Sequence, residues 1–173
     1  MASIVFVSNH LYDSLIRLGI YEKKTFLLDY NFIMKNIPEK FIPSFVLGLF
    51  DGDGNIDYPK DGTISRSHVR FSGPLEQLNQ LYDLFPFKEY LSIIVDKRNY
   101  SMPFGSLEAK GTIGKYCLLK FIYSSTTDGL SRKRNNAKIL IERIENNATN
   151  RIENKKALLA WEAYKKNNYR GGR

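Results

Sequence analysis

Phe45-Val46-Leu47-Gly48-Leu49-Phe50-Asp51-Gly52-Asp53-Gly54 begins as an apolar helix and ends in two carboxylates separated by a glycine. A glycine inside a helix costs about 0.8–1 kcal/mol relative to alanine, so its placement asks for a reason. Ser44, Gly48 and Gly52 recur at four-residue spacing and fall on one helix face, where a second backbone can come close. Phe45 with Leu49, and Val46 with Phe50, form flanking apolar stripes suited to a core. The pattern predicts a helix that touches its own domain on one side and a second helix on the other, and that delivers Asp53 to the contact.

Two plainer readings compete. Asp51-Gly-Asp-Gly-Asn55 matches the start of an EF-hand calcium loop, but Ile56 and Gly62 stand where that loop needs glycine and a bidentate glutamate. The other is a helix stop with Gly54 as C-cap and an acidic turn after it. Carboxylates are unfavourable at the negative end of a helix, so a cation near Asp51 and Asp53 would ease the conflict.

The surrounding chain has 173 residues, a net charge of +8 and a sequence pI near 9.5. That length suits one domain with a proper core, and the charge suits a polyanionic partner. A single cysteine, Cys117, excludes an intrachain disulfide and fits a reducing intracellular compartment. The short apolar start lacks the basic region of a signal peptide, and no stretch approaches a membrane span. The expectation is a protein of the cytoplasm or an organelle matrix, not secreted and without a membrane partner.

Residues 3–8 alternate as a short strand, and Leu11, Leu15, Ile16 and Leu18 give a helix closed by Gly19, with Ser8 or Asn9 as N-cap. A loop through Lys23 and Lys24 leads to the motif helix, which starts near residue 39 or 40, so that Pro43 falls in its first turn. After Gly54 the period becomes two-fold. Asn55–Tyr58 forms a strand, Pro59–Gly62 a hairpin turn, and Thr63–Ser72 the return strand. Val69 and Phe71 point one way, while Arg66, His68 and Arg70 point the other. Leu75, Leu78, Leu81, Tyr82 and Phe85 mark a helix; Leu91, Ile93 and Val95 alternate with Ser92, Ile94 and Asp96 in a third strand reaching Arg98, and a fourth covers 106–113. Helices follow over 114–123 and 132–147, with a basic helical tail over 151–169. The fold class is therefore α+β, α-β-β-α-β-β-α around a four-stranded antiparallel sheet. It divides into an N-terminal strand-helix extension (1–37), a core domain (38–147) and a basic C-terminal helix and tail (148–173).

Val46 through Gly54 resembles the signature of LAGLIDADG homing endonucleases, with Gly48, Leu49, Asp51, Asp53 and Gly54 matching letter for letter. The order of elements over 38–147 is similar to one core unit of that family. The resemblance implies a homodimer, since the chain carries one copy of the motif, with Ser44, Gly48 and Gly52 at the dimer interface. It implies Mg²⁺, with Mn²⁺ or Ca²⁺ able to occupy the same sites, held by Asp53 and the backbone carbonyl of Gly52. It also implies a basic residue near the start of the helix after the second hairpin, in the water network at the scissile phosphate. Aligning Asn136-Ala-Lys-Ile-Leu140 places Lys133 there, between Arg132 and Arg134. A polar side chain just after the second strand falls on Ser72 or Gly73.

A sheet covered by helices on one face leaves the other open as a DNA-binding saddle. Asn55, Asp57, Arg66, His68 and Arg70 line it by parity, and Arg98 and Lys110 extend it on the second hairpin. Arg132 and Arg134 join the DNA contacts from the later helix. Arginine reads guanine and asparagine reads adenine in the major groove. The expected activity is Mg²⁺-dependent double-strand hydrolysis of DNA phosphodiesters at a long pseudo-palindromic site, with Asp53 and Lys133 catalytic. The alternatives are a non-cutting binder of the same fold, an RNA-splicing maturase or a transcription factor, and half of a two-motif enzyme that pairs with a separate chain.

Overall fold

The computed structural model describes residues 7–21, 28–59, 62–98, 102–123, 129–148 and 151–168. Most of the expected strand 3–8, the Lys23–Lys24 loop and the tip of the first hairpin lie outside them. Helix α1 (Asn9–Arg17) is capped by Ser8, whose hydroxyl accepts the Leu11 N–H at 3.3 Å, and the chain leaves it through Gly19 at φ +75°. A second helix, α2 (Tyr30–Asn36), stands where the sequence suggested only a loop. Asp29 caps it by accepting the Phe32 N–H at 3.0 Å, and Tyr30 and Ile33 bury its inner side.

The motif helix opens with a 3-10 turn at Glu39–Phe41 and continues as α3 (Ile42–Asp53). Pro43 sits in the first turn, where no partner for its missing N–H is required. Val46, Leu47 and Phe50 face the core, each burial worth roughly 1.5–3 kcal/mol. At Gly54 the backbone turns directly from helix to extended (φ −83°, ψ 156°) and enters β1 (Gly54–Asp57). Asp51 through Asn55 therefore run from helix into strand, which removes the EF-hand loop as a reading.

Strand β2 (His68–Pro74) is shorter than expected at its start, because Ile64–Arg66 forms a 3-10 turn. The buried Lys115 secures that turn by donating to the Ile64 carbonyl at 2.8 Å. Arg66 is thus exposed beside the sheet, not within a strand. Helix α4 (Leu75–Leu84) follows, then β3 (Leu91–Val95) and β4 (Phe104–Ala109). Lys110 and Arg98 both lie just beyond strand ends. The four strands form one antiparallel sheet in the order β1-β2-β4-β3, and the element order from α3 is α-β-β-α-β-β-α once α5 (Gly111–Tyr123) is added.

Ile56, Val69, Phe71, Leu107 and Ala109 point from the sheet into the helical layer. Helix α5 is the centre of that layer, with Tyr116, Cys117, Leu118, Leu119 and Ile122 buried. Burial also pushes the Cys117 thiol up to about 12, as suits a small hydrophobe and not a nucleophile. Helices α6 (Ser131–Asn146) and α7 (Ile152–Asn168) pack on α5. Ala157 and Trp161 of α7 are buried, and Tyr164 meets Phe87 and Phe121 edge-on or tilted. The C-terminal helix is therefore part of the same core. Among the described residues no helix is long and apolar enough to cross a membrane.

Candidate nucleic-acid and metal site

Helix α3 buries one side and leaves the other uncovered. Ser44, Gly48 and Gly52 are exposed in a row, and a Cβ added at Gly48 or Gly52 would meet nothing within 4 Å. Gly54 is different: a Cβ there would lie 2.5 Å from the Phe50 carbonyl oxygen, so this glycine is required by its own chain. Nothing within the described residues explains the other two.

The two carboxylates of the motif have separate fates. Asp51 turns inward, and its Oδ2 accepts the N–H of Leu130, the N-cap residue of α6, at 2.8 Å. Asp53 is exposed, and no described residue hydrogen-bonds its carboxylate. It borders a cavity of about 330 Å³ shared with Tyr30, Gly48, Gly52, Ser72, Gly73 and Gln77. The structure thus brings Ser72 and Gly73 to the same place as Asp53. Tyr30 comes from the helix that the sequence reading missed; the Asp29 cap and the buried Tyr30–Ile33 pair were its only signal. Burial and then the charge of Asp53 raise the Tyr30 phenol to about 12.

Lys133 is the cation that the negative end of α3 called for. It is 7% exposed, and its Nζ donates to the carbonyls of Phe50 (2.7 Å), Asp51 (2.9 Å) and Gly54 (2.5 Å). An ammonium has three hydrogens, so these bonds use them all. This differs from the role the resemblance implies: instead of meeting water at a phosphate, Lys133 caps the helix and binds α6 to it. Burial lowers its pKa, Asp51 opposes that shift, and Arg132 adds to it. Arg132 is exposed, whereas Arg134 lies with its guanidinium 5.1 Å from the Tyr123 ring centroid, stacked on the protein.

The capping lysine takes the Phe50 and Asp51 carbonyls and skips that of Gly52. An exposed carboxylate and a carbonyl at a helix end are hard oxygen donors of the kind Mg²⁺ prefers. The donor set fits such an ion. Among the described residues no three His, Cys, Asp or Glu side chains gather to hold a metal ion.

The outer sheet face begins where α3 ends. Asn55 and Asp57 of β1 lie opposite Arg70 and His68 of β2, and Arg70 lies opposite Glu108 of β4, which lies opposite Ser92 of β3. Arg70 donates to Asp57 at 3.0 Å and His68 Nδ1 lies 2.6 Å from Glu108. The alternation of β4 carried the signal for Glu108, which the sequence reading passed over in looking for basic residues. A groove of about 450 Å³ runs across this face past Arg70, Ser72, Ser106 and Arg98. Arg98 is folded onto Asp96 through Nε and Nη2, and Lys110 is exposed. Asn55, Asp57, His68 and Arg70 thus share one surface, with Arg98 at its edge.

No family model, curated protein or solved structure matches this chain.

Proposed function

We propose that the protein is a LAGLIDADG-type DNA endonuclease that works as a homodimer, two copies meeting along the exposed Ser44–Gly48–Gly52 face of α3. The observation that carries the proposal is the contrast between the two motif carboxylates. Asp51 has a structural partner in the Leu130 N–H, while Asp53 stands exposed at the end of an uncovered helix face. Pairing that face would bring together the ends of two motif helices and with them two Asp53 carboxylates. The same helix end leads into a sheet whose outer face carries Asn55, Asp57, His68 and Arg70. That face has the donors and acceptors that base edges require, and the chain's +8 charge favours phosphate.

Asp53 and the Gly52 carbonyl would hold the divalent ion, which supplies an activated water and relief of charge on the phosphate and leaving oxygen. The protein's own contribution is position. Lys133 fixes the last turn of α3 through three carbonyls, and Asp51 ties that turn to α6, so Asp53 projects from a rigid end. In this reading Lys133 is a positioning residue. The exposed Arg132 remains available for backbone phosphate.

The test is cleavage of the uninterrupted DNA flanking the coding sequence with Mg²⁺, alongside light scattering. The expected outcome is a dimer that cuts one site, and an Asp53→Asn variant that binds but does not cut. A variant that cuts equally well would remove Asp53 from the chemistry. Binding without cutting by the wild-type protein would favour the maturase or transcription-factor reading.

A further inference from the structure

The outer sheet face is not a simple basic surface. Both basic side chains of β2 there are already held by carboxylates, and the pairing is diagonal: Arg70 binds Asp57, which lies opposite His68, while His68 binds Glu108, which lies opposite Arg70. Asp57 and Arg70 are about half exposed, 51% and 38% at the side chain, so neither is needed to fill the core. Carboxylates on a surface meant only for phosphate would repel it, and such repulsive elements are a means of specificity. Their presence asks what would repay their desolvation.

The geometry points to a base-reading function for the Arg70–Asp57 pair: together they read one G·C base pair in each half-site. This rests on the DNA reading above and goes beyond it by assigning a base. The guanidinium has a fork of donors and the carboxylate beside it is an acceptor, 3.0 Å away. In the major groove a G·C pair presents guanine N7 and O6 as acceptors, then the cytosine N4 amino group as donor. Two donors beside one acceptor match that edge in order. On an A·T pair the donor lies between two acceptors, so the fork finds one partner and the carboxylate faces thymine O4 or its methyl group. In the free protein each side chain serves as the other's stand-in for the base, held there by the Arg70 Nη2–Asp57 Oδ2 hydrogen bond. Phosphate alone cannot satisfy Asp57, so sliding on unrelated DNA keeps the pair closed.

Selection from a pool of randomised duplexes, with the binding profile of each variant read position by position, tests this. Wild type is expected to prefer G·C over the other pairs by roughly ten- to a hundredfold at one position of each half-site. Arg70→Ala and Asp57→Asn should each lose most of that preference at the same position and leave the other positions unchanged. Arg70→Lys keeps the charge and can still donate to guanine O6 or N7, but without the planar fork that pairs with Asp57, so it should weaken the guanine preference while the salt dependence of binding stays as in wild type. Arg70→Ala and Asp57→Asn profiles that change at different positions, or not at all, overturn the inference while leaving DNA binding intact. A wild type that enriches no sequence overturns the DNA reading itself, and this inference with it.

Discussion

Replacing Gly48 by alanine should make the single chain more stable and the protein inactive. Position 48 is inside α3, where alanine is better than glycine by about 0.8–1 kcal/mol. No strain offsets the gain, because an added Cβ meets nothing within 4 Å. For a domain of this size that corresponds to roughly 2–4 °C in Tm. Between two paired helices the sign reverses. Each copy would bring an extra methyl group to a close backbone contact, at a cost of about 1–3 kcal/mol per overpacked site. Thermal unfolding over a dilution series, with light scattering at each concentration, separates the two effects. Wild-type Tm should rise with protein concentration, because association stabilises the folded state. The variant's Tm should be independent of concentration and lie above the wild type's dilute limit. A variant less stable than dilute wild type would mean that Gly48 serves its own chain. A variant that associates normally would mean that this face of α3 is not the contact.

Gly54→Ala should have the opposite effect, costing about 1–3 kcal/mol in urea unfolding, since its Cβ would lie 2.5 Å from the Phe50 carbonyl oxygen; an unchanged midpoint would show that the helix-to-strand junction can relax. Lys133→Met should leave the carbonyls of Phe50, Asp51 and Gly54 without their cap and cost roughly 1–3 kcal/mol. Lys133→Arg should recover little, because a planar fork cannot reproduce three diverging bonds; full recovery would contradict the capping role. Stability should also fall in alkali. Cys117 and Tyr30 are both raised to about 12 in the folded protein, against ordinary values near 8.5 and 10 when unfolded. The folded state thus keeps protons that the unfolded state gives up, and the stability present below pH ~8.5 is lost as pH rises toward 12. Urea midpoints that stay level between pH 8 and 11 would contradict the burial of these groups. DNA affinity should fall steeply with salt, and a flat dependence would reject a polyanionic partner.

The order of elements from α3 to α5 was legible because each changes period at a glycine or proline: helical up to Gly54, two-fold up to Ser72-Gly73-Pro74, helical again from Leu75. The three-residue turn at Ile64–Arg66 was not, since its residues alternate as well as a strand does, and what selects the turn is Lys115, about fifty residues away. Helix α2 was hidden by its shortness, seven residues whose stability comes from Tyr30 and Ile33 packing against the core. At the site, the row of small residues and the acidic pair could be read directly. Asp53 was singled out by the helix pattern and the resemblance, but what turns Asp51 inward, the distant Leu130 N–H, was not legible. For Lys133 the sequence indicated the neighbourhood but not the direction of the side chain: a helix start beside a buried carbonyl cluster draws the ammonium inward. The outer sheet face was found by parity with Asp57 on it, yet Glu108 was passed over, because net charge says nothing of local pairing.

The central claim, that two Asp53 carboxylates from two copies act together, is tested most directly by mixing wild-type and Asp53→Asn protein at constant total concentration and measuring linear product from a plasmid that carries the recognised site. If both copies are needed, and subunits exchange freely, double-strand cutting should fall as the square of the wild-type fraction. A fall in simple proportion to that fraction would mean that each chain cuts alone, and would contradict the account.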